Sequence, residues 1–99
     1  MTSKPFGFHP EARVDLRDSA RWYRERNAVV AAEFRTAVGD AVRSVVQTPQ
    51  RWPEYLYGTR RFVLQRFPFS VVYLDDPDMV RIVAVAHAKR KPGYWRRRV

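Results

Sequence analysis

The fold is decided by residues 61–87, which contain the runs RFVLQRF at 61–67, FSVVYLD at 69–75 and MVRIVAVAH at 79–87. These runs are rich in β-branched and aromatic residues, which suit the pleated surface of a sheet. Pro68 separates the first two runs, and a central strand does not tolerate proline. The segment from Asp75 to Asp78 has the composition of a hairpin turn, since Pro77 fixes φ and the aspartates bond their own backbone. The sequence therefore predicts three consecutive antiparallel strands over Arg61 to Phe67, Phe69 to Asp75 and Met79 to His87.

The third run also predicts which side chains share a face of the sheet. Successive residues of a strand point to opposite faces, so alternate residues lie together. One face is predicted to hold Val80, Ile82, Ala84 and Ala86. The other is predicted to hold Arg81, Val83, Val85 and His87.

Two amphipathic helices precede these strands. Pro10 and Glu11 favour a helix start, because proline at the first position costs no hydrogen bond and an early acid faces the positive end of the helix dipole. This helix is predicted to run from Pro10 to about Arg26, with Asn27 closing it in the left-handed conformation. A second apolar periodicity runs from Val30 to Val45 and ends at Thr48-Pro49, since the residue before proline avoids the α region.

Shorter features complete the predicted architecture. Phe6-Gly7-Phe8 alternates like an edge strand, and the connection from Pro49 to Thr59 carries Trp52 and Tyr55, which we interpret as anchors onto the core. Gly39 weakens the second helix by roughly 1 kcal/mol relative to alanine, so a close contact is expected there. The element order predicts an α+β fold, with an N-terminal short strand and an α-helical hairpin packed on a small antiparallel sheet, as one domain spanning residues 1–99.

Composition limits the classes of function. The chain has 99 residues, a formal net charge of +9 and no cysteine, so disulfides and thiolate zinc sites are excluded. Two histidines give little support for any metal, no glycine-rich phosphate loop is present, and we expect no cofactor. The segment from Met1 to Pro5 lacks the apolar core of a signal peptide, and no apolar run has the length of a membrane span. We therefore expect a cytoplasmic protein whose charge attracts nucleic acid or an acidic protein, or simply keeps the surface soluble.

The positive charge is concentrated near the C-terminus. Residues 87–98 read HAKRKPGYWRRR, which includes six of the nineteen lysines and arginines and no carboxylate. Tyr94 and Trp95 among these cations resemble a surface that stacks bases and holds phosphates, but a Trp95 folded back onto the sheet explains the pattern equally well. We predict a target-binding surface that consists of Arg60, Arg61, Arg81, Lys89, Arg90, Lys91, Tyr94, Arg96, Arg97 and Arg98.

His87 is the strongest candidate for acid–base chemistry. Neighbouring positive charge lowers the pKa of an imidazole and keeps it neutral, so His87 is a candidate general base for attack on a phosphodiester. A cationic side chain would stabilise the charge that develops. A histidine that only caps the strand end with a hydrogen bond is the simpler alternative.

Several motifs in a fixed order resemble one known family. They are FHPEA at 8–12, ARWY at 20–23, RWP at 51–53, RFPFSVVY at 66–73 and AVAH at 84–87 followed by RKPGYW at 90–95. In these motifs nearly the whole chain resembles the RelE/ParE superfamily of type II toxin–antitoxin toxins, on the ParE-like side often called plasmid stabilisation proteins. The resemblance implies a growth-arresting toxin that is held inactive by a cognate antitoxin, whose acidic C-terminal segment wraps it in a hetero-oligomer.

Two target classes follow from this resemblance. ParE-like toxins poison DNA gyrase, whereas RelE-like toxins cleave mRNA on the ribosome with a strand arginine, a second arginine after the last strand and a C-terminal tyrosine. Arg90 and Tyr94 match the last two positions, and with His87 they are the catalytic candidates if the chain is a nuclease. Ser70 stands at the strand position, which favours inhibition of gyrase. A ribosome-dependent endoribonuclease is the alternative, and a non-toxic nucleic-acid-binding module is a third.

Overall fold

The computed structural model describes residues 4–99 and confirms the predicted α+β architecture. Its sheet has the strand order β1-β4-β3-β2, with β1 parallel to β4 and the other neighbours antiparallel. The sheet is thus mixed rather than wholly antiparallel, because the helical hairpin carries the chain away from the edge strand before the meander begins. The elements are β1 (Phe6–Phe8), α1 (Pro10–Arg24), α2 (Ala28–Gln47), β2 (Arg60–Val63), β3 (Phe69–Asp75) and β4 (Val80–His87), with short 3-10 helices at Leu56–Gly58 and Arg96–Arg98.

Side-chain caps fix the starts of both helices. The imidazole Nδ1 of His9 accepts a hydrogen bond from the Glu11 backbone N–H at 3.0 Å. Asn27 does not close α1 in the left-handed conformation, because its φ is −164°. Its side-chain oxygen instead accepts from the backbone N–H groups of Val29 and Val30, at 2.9 and 3.2 Å. The prediction for Asn27 was wrong because the same short polar side chain also suits an N-cap, where it satisfies free helical donors.

The predicted first strand is shorter than its sequence pattern. β2 ends at Val63, and the Leu64 backbone N–H donates to the Phe69 carbonyl at 2.9 Å. Leu64 and Phe67 are both buried in the main core. The chain therefore makes a wide turn ahead of Pro68, which lets two apolar side chains of the turn reach the core.

A β-bulge in β4 changes the predicted faces of that strand. Val72 pairs with Ala84 while Tyr73 pairs with Ile82, so Val83 has no partner on β3. The predicted alternation holds up to Val83 and is wrong beyond it, because one extra residue shifts every later side chain to the other face. The helix-facing core contains Val80, Ile82 and Val85, and the opposite cluster contains Val83, Ala84 and Ala86.

The two faces of the sheet are covered differently. The helical hairpin covers one face around an aromatic cluster in which the ring centroids of Phe34 and Phe69 lie 4.8 Å apart. On the other face, the C-terminal segment places Trp95, with 1% of its surface exposed, against Val72 and Val83. Because this second cover is narrow, part of the sheet remains open as a groove.

Gly39 lies on the outer side of α2. A Cβ built at this position would meet no atom of residues 4–99 within 4 Å, so the predicted close contact is wrong. The glycine borders a shallow surface hollow next to Phe6 and Val42. Within residues 4–99, neither helix combines the length and the hydropathy of a membrane span.

Candidate target-binding groove

A groove of about 290 Å³ opens on the sheet face opposite the helices. Its floor is made of small or apolar side chains, among them Ser70, Val72 and Ala86. Cations reach its rim from two sides, since Arg61 lies on β2 and both Arg90 and Lys91 follow β4. We refer to this feature, with Arg61, Arg90 and Lys91 on its rim, as the basic groove.

Backbone hydrogen bonds hold the segment that carries Arg90 and Lys91. The Ala88 N–H donates to the Pro68 carbonyl at 2.8 Å, and the Arg90 N–H donates to the His87 carbonyl at 3.0 Å. A further bond runs from the Tyr94 N–H to the Lys91 carbonyl at 3.1 Å. The basic segment is therefore a series of tight turns attached to the sheet.

Aromatic rings order the long cationic side chains around the basic groove. The guanidinium carbon of Arg61 lies 4.1 Å from the ring centroid of Tyr55, and that of Arg90 lies 3.8 Å from the centroid of Tyr94. Stacking of this kind is favourable because the ring face carries negative charge density. Tyr55 packs near Trp95 as the predicted anchor, and it also lines the groove.

Tyr57 is a surface feature that sequence reasoning missed. Trp95 is buried as an anchor, which was one of the two predicted alternatives. Tyr57, in contrast, is 48% exposed, and the guanidinium carbon of Arg96 lies 4.8 Å from its ring centroid. Tyr57 adopts a φ of +57°, which is uncommon for a residue with a side chain. The only signal in the sequence is the following Gly58, which marks a tight turn before β2.

A buried carboxylate on α1 holds the C-terminal segment. Asp15 Oδ2 accepts hydrogen bonds from Arg98 Nη1 at 2.7 Å, from the Tyr94 hydroxyl at 3.0 Å and from the Val85 N–H at 3.2 Å. Only 9% of the Asp15 side chain and 13% of the Arg98 side chain are exposed. Sequence reasoning missed Asp15 because nothing near it in the chain distinguishes it from a solvated helix acid.

The Asp15 cluster changes the ionisation of both its partners. Burial raises the pKa of the Tyr94 hydroxyl well above its ordinary value, and the charge and hydrogen bond of Asp15 raise it further. For Arg98, burial alone would lower the pKa, but the hydrogen bond and charge of Asp15 outweigh burial and raise it. Tyr94 is therefore a neutral hydrogen-bond donor, and Arg98 a permanent cation, at physiological pH.

The predicted target-binding residues fall into three groups. Three of them are engaged within the chain: Arg98 pairs with Asp15, Arg81 Nε donates to Asp76 at 2.8 Å, and Arg60 Nη1 donates to the Trp52 carbonyl at 2.7 Å. The structure brings a second set together at the basic groove, namely Arg61, Arg90, Lys91 and Tyr94. The remaining three are exposed outside the groove, namely Lys89, Arg96 and Arg97.

His87 makes the hydrogen bond expected of a strand-end cap. Its Nδ1 accepts from the Lys89 N–H at 2.9 Å, and its ring packs edge-on against Phe69, with 4.8 Å between centroids. A neutral imidazole then carries its proton on Nε2 and has no free lone pair for a substrate. Among residues 4–99, no cluster of three His, Cys, Asp or Glu side chains is arranged to hold a metal ion.

Comparison with known proteins identifies the family. The model of the ParE toxin of type II toxin–antitoxin system, parDE, matches residues 7–92. The chromosomal ParDE toxin–antitoxin system from P. aeruginosa is similar in structure, with a TM-score of 0.77 and 18% identity over 88% of this chain and 98% of that chain.

A second solved structure with a similar fold is the RelBE2 toxin–antitoxin complex from Mycobacterium tuberculosis. Its TM-score is 0.57, with 22% identity over 87% of this chain and 99% of that chain. No curated protein matches the chain. These structures support the fold, and the family model covers most of the sequence. The chain therefore belongs to the ParE toxins of type II toxin–antitoxin systems, within the RelE/ParE superfamily.

Proposed function

We propose that this ParE-family toxin arrests growth by inhibiting DNA gyrase through the basic groove. The observation that carries this proposal is that the cations on the rim of the groove are unpaired within the described part of the chain. Arg61, Arg90 and Lys91 form no ion pair with any carboxylate of residues 4–99, although ten acids are present in the chain. Unpaired rim cations steer an acidic partner towards the surface, and an apolar floor supplies contact area once that partner is bound.

The groups expected of a nuclease support inhibition of gyrase over RNA cleavage. The Tyr94 hydroxyl donates to Asp15, and its raised pKa keeps it protonated, so at physiological pH it neither releases its proton readily nor acts as a base. The Nδ1 lone pair of His87 is occupied by the Lys89 N–H. Ser70 lines the groove at the position where the RelE-like pattern has an arginine. General acid–base chemistry needs a group that is free to exchange a proton, and the Tyr94 hydroxyl and the Nδ1 of His87 are already engaged in hydrogen bonds.

The same groove suits an antitoxin. A segment with acidic side chains and a few apolar anchors would neutralise the rim and bury the floor, which explains how one partner both binds the toxin and blocks its target surface. We infer that the cognate antitoxin supplies such a segment and forms a hetero-oligomer with this chain.

The proposal is tested with two charge-matched double variants. Arg61→Gln with Lys91→Gln removes two cations from the rim, whereas Arg21→Gln with Arg35→Gln removes two from exposed helix positions. Purified proteins are titrated into a DNA supercoiling assay with gyrase. The rim variant should need at least about tenfold more protein for half inhibition, while the helix variant should stay within about twofold of the unmodified toxin.

Two results would contradict this assignment. Equal losses in both variants would mean that net charge, and not the groove, sets the activity. Growth arrest accompanied by codon-positioned mRNA cuts and unaffected supercoiling would favour the endoribonuclease alternative. The antitoxin is tested separately, because co-expression of the adjacent gene product should restore growth of cells that produce the toxin.

A further inference from the structure

Among residues 4–99, no strand pairs with one edge of β4 along its second half. β1 pairs with β4 only as far as Ile82, whose carbonyl also accepts from the His9 N–H at 2.8 Å. Beyond that point the Val83 carbonyl accepts from Arg98 Nη1 at 3.1 Å, and the Val85 N–H donates to Asp15. Buried backbone groups need partners, so the ion pair replaces the missing strand.

The ring of Tyr94 connects the Asp15 carboxylate to the basic groove. The Tyr94 hydroxyl donates to Asp15 Oδ2, and the guanidinium groups of two arginines lie close to the ring of Tyr94. The guanidinium carbon of Arg90 is 3.8 Å from the ring centroid, and that of Arg98 is 5.2 Å from it. Arg90 is exposed and has no ion pair within residues 4–99, so the Tyr94 ring is the main contact that restricts its side chain.

We propose that Asp15 is a positioning residue for target binding, which fixes the ring of Tyr94 and thereby the guanidinium of Arg90. This inference rests on the proposed function, in which Arg90 contacts the target. The Asp15 carboxylate on α1 thus determines the position of the Arg90 guanidinium on the rim of the basic groove. Preorganising a long side chain lowers the entropy lost on binding, which is why the effect should appear in activity as well as in stability.

A double-mutant cycle separates positioning from general stabilisation. Asp15→Asn and Arg90→Met are made singly and together, and the toxin level per cell that halves the growth rate is measured by quantitative immunoblot without antitoxin. The purified proteins are melted in parallel. Asp15→Asn should raise the required level about fivefold in the natural background but less than about twofold beside Arg90→Met, because coupled sites are not additive. The melting temperature should fall equally in both backgrounds.

Tyr94→Phe provides a second cycle that keeps the fold. It removes only the hydroxyl and retains the ring beneath Arg90. The toxin level needed to halve the growth rate should therefore rise, but less than with Asp15→Asn. This rise should disappear beside Arg90→Met. Equal losses in both backgrounds would overturn the inference and leave Asp15 as a purely structural residue. If Arg90→Met alone left growth arrest unchanged, Arg90 would not contact the target and this inference would fail, whereas the proposed function is decided separately by the variant at Arg61 and Lys91.

Discussion

Gly39 and Gly93 are glycines in opposite situations. Gly39 is helical, and a Cβ there would meet no atom of the described residues within 4 Å. Gly93 has a φ of +81°, and a Cβ there would lie 2.8 Å from the Tyr57 ring. Gly39→Ala should stabilise the protein by about 1 kcal/mol, since alanine is the better helix former. Gly93→Ala should destabilise it, because alanine is strained at this positive φ and the Tyr57 ring would have to move. Urea denaturation of both variants measures the change in the free energy of unfolding. If Gly39→Ala were destabilised, the added methyl group would have to collide with another part of the protein.

Because Tyr73 is buried, we expect the protein to lose stability at alkaline pH. Its side chain is fully buried and its hydroxyl donates to the Pro49 carbonyl at 2.6 Å. Burial raises its pKa from 10.0 to about 12. The folded protein therefore keeps a proton that the unfolded chain releases, so the contribution of Tyr73 is complete below about pH 10 and is lost as pH rises towards 12.

The test for Tyr73 compares two stability profiles. The free energy of unfolding of the natural protein and of Tyr73→Phe is measured from pH 8 to 12, a range that brackets the two pKa values. The difference between them should be constant below about pH 10 and shrink above it. Parallel curves over the whole range would contradict a raised pKa at Tyr73.

At the scale of elements, the joint between α1 and α2 depends on one cap. Three residues connect the helices, and Asn27 binds two backbone donors of α2. Asn27→Ala should cost about 1 kcal/mol of stability, whereas Asn27→Ser should retain most of it because a hydroxyl can also accept the helical N–H groups. Thermal and urea unfolding of the pair provide the measurement, and equal losses in both variants would argue against capping.

Trp95 is the largest buried side chain by which the C-terminal segment contacts the sheet. Trp95→Ala should cost about 3–5 kcal/mol, as expected for a buried aromatic, and should expose the bond after Arg96 to trypsin. Trp22→Ala is the matched control, because Trp22 is 51% exposed. Its loss should stay within about 1 kcal/mol. If Trp95→Ala were no worse than the control, the Asp15 cluster and the backbone hydrogen bonds would be sufficient to hold the segment.

At the scale of the whole molecule, the net charge of +9 and its distribution lead to a prediction for the salt dependence of binding to polyanions. Five cations after β4 form no ion pair among the described residues, since Arg98 is paired with Asp15. If those five met phosphates of duplex DNA, log affinity would fall with log salt at a slope of about −4.5. Lys91→Gln should make this slope shallower by about 0.9, and Arg98→Gln should leave it unchanged, provided the variant remains folded. A flat salt response would exclude the nucleic-acid-binding alternative.

Local patterns were sufficient for the secondary elements and insufficient for the details of their ends. Apolar periodicity predicted both helices, and β-branched and aromatic composition predicted the three later strands, because both signals lie within a single segment. The shortened β2 and the bulge at Val83 were not predicted. Both depend on how a strand meets its neighbour and the core, and no periodicity within the strand itself records that contact.

The sequence by itself determined the family, the order of the elements and the cationic C-terminal end, since each is written in residue types and spacings along one segment. The tertiary structure alone decided which cations remain free. Asp15 and Arg98 are 83 positions apart, and they meet only because α1 packs beside the uncovered edge of β4. Charge is a property of a residue, but its availability to a partner depends on what the fold places within a few ångströms of it.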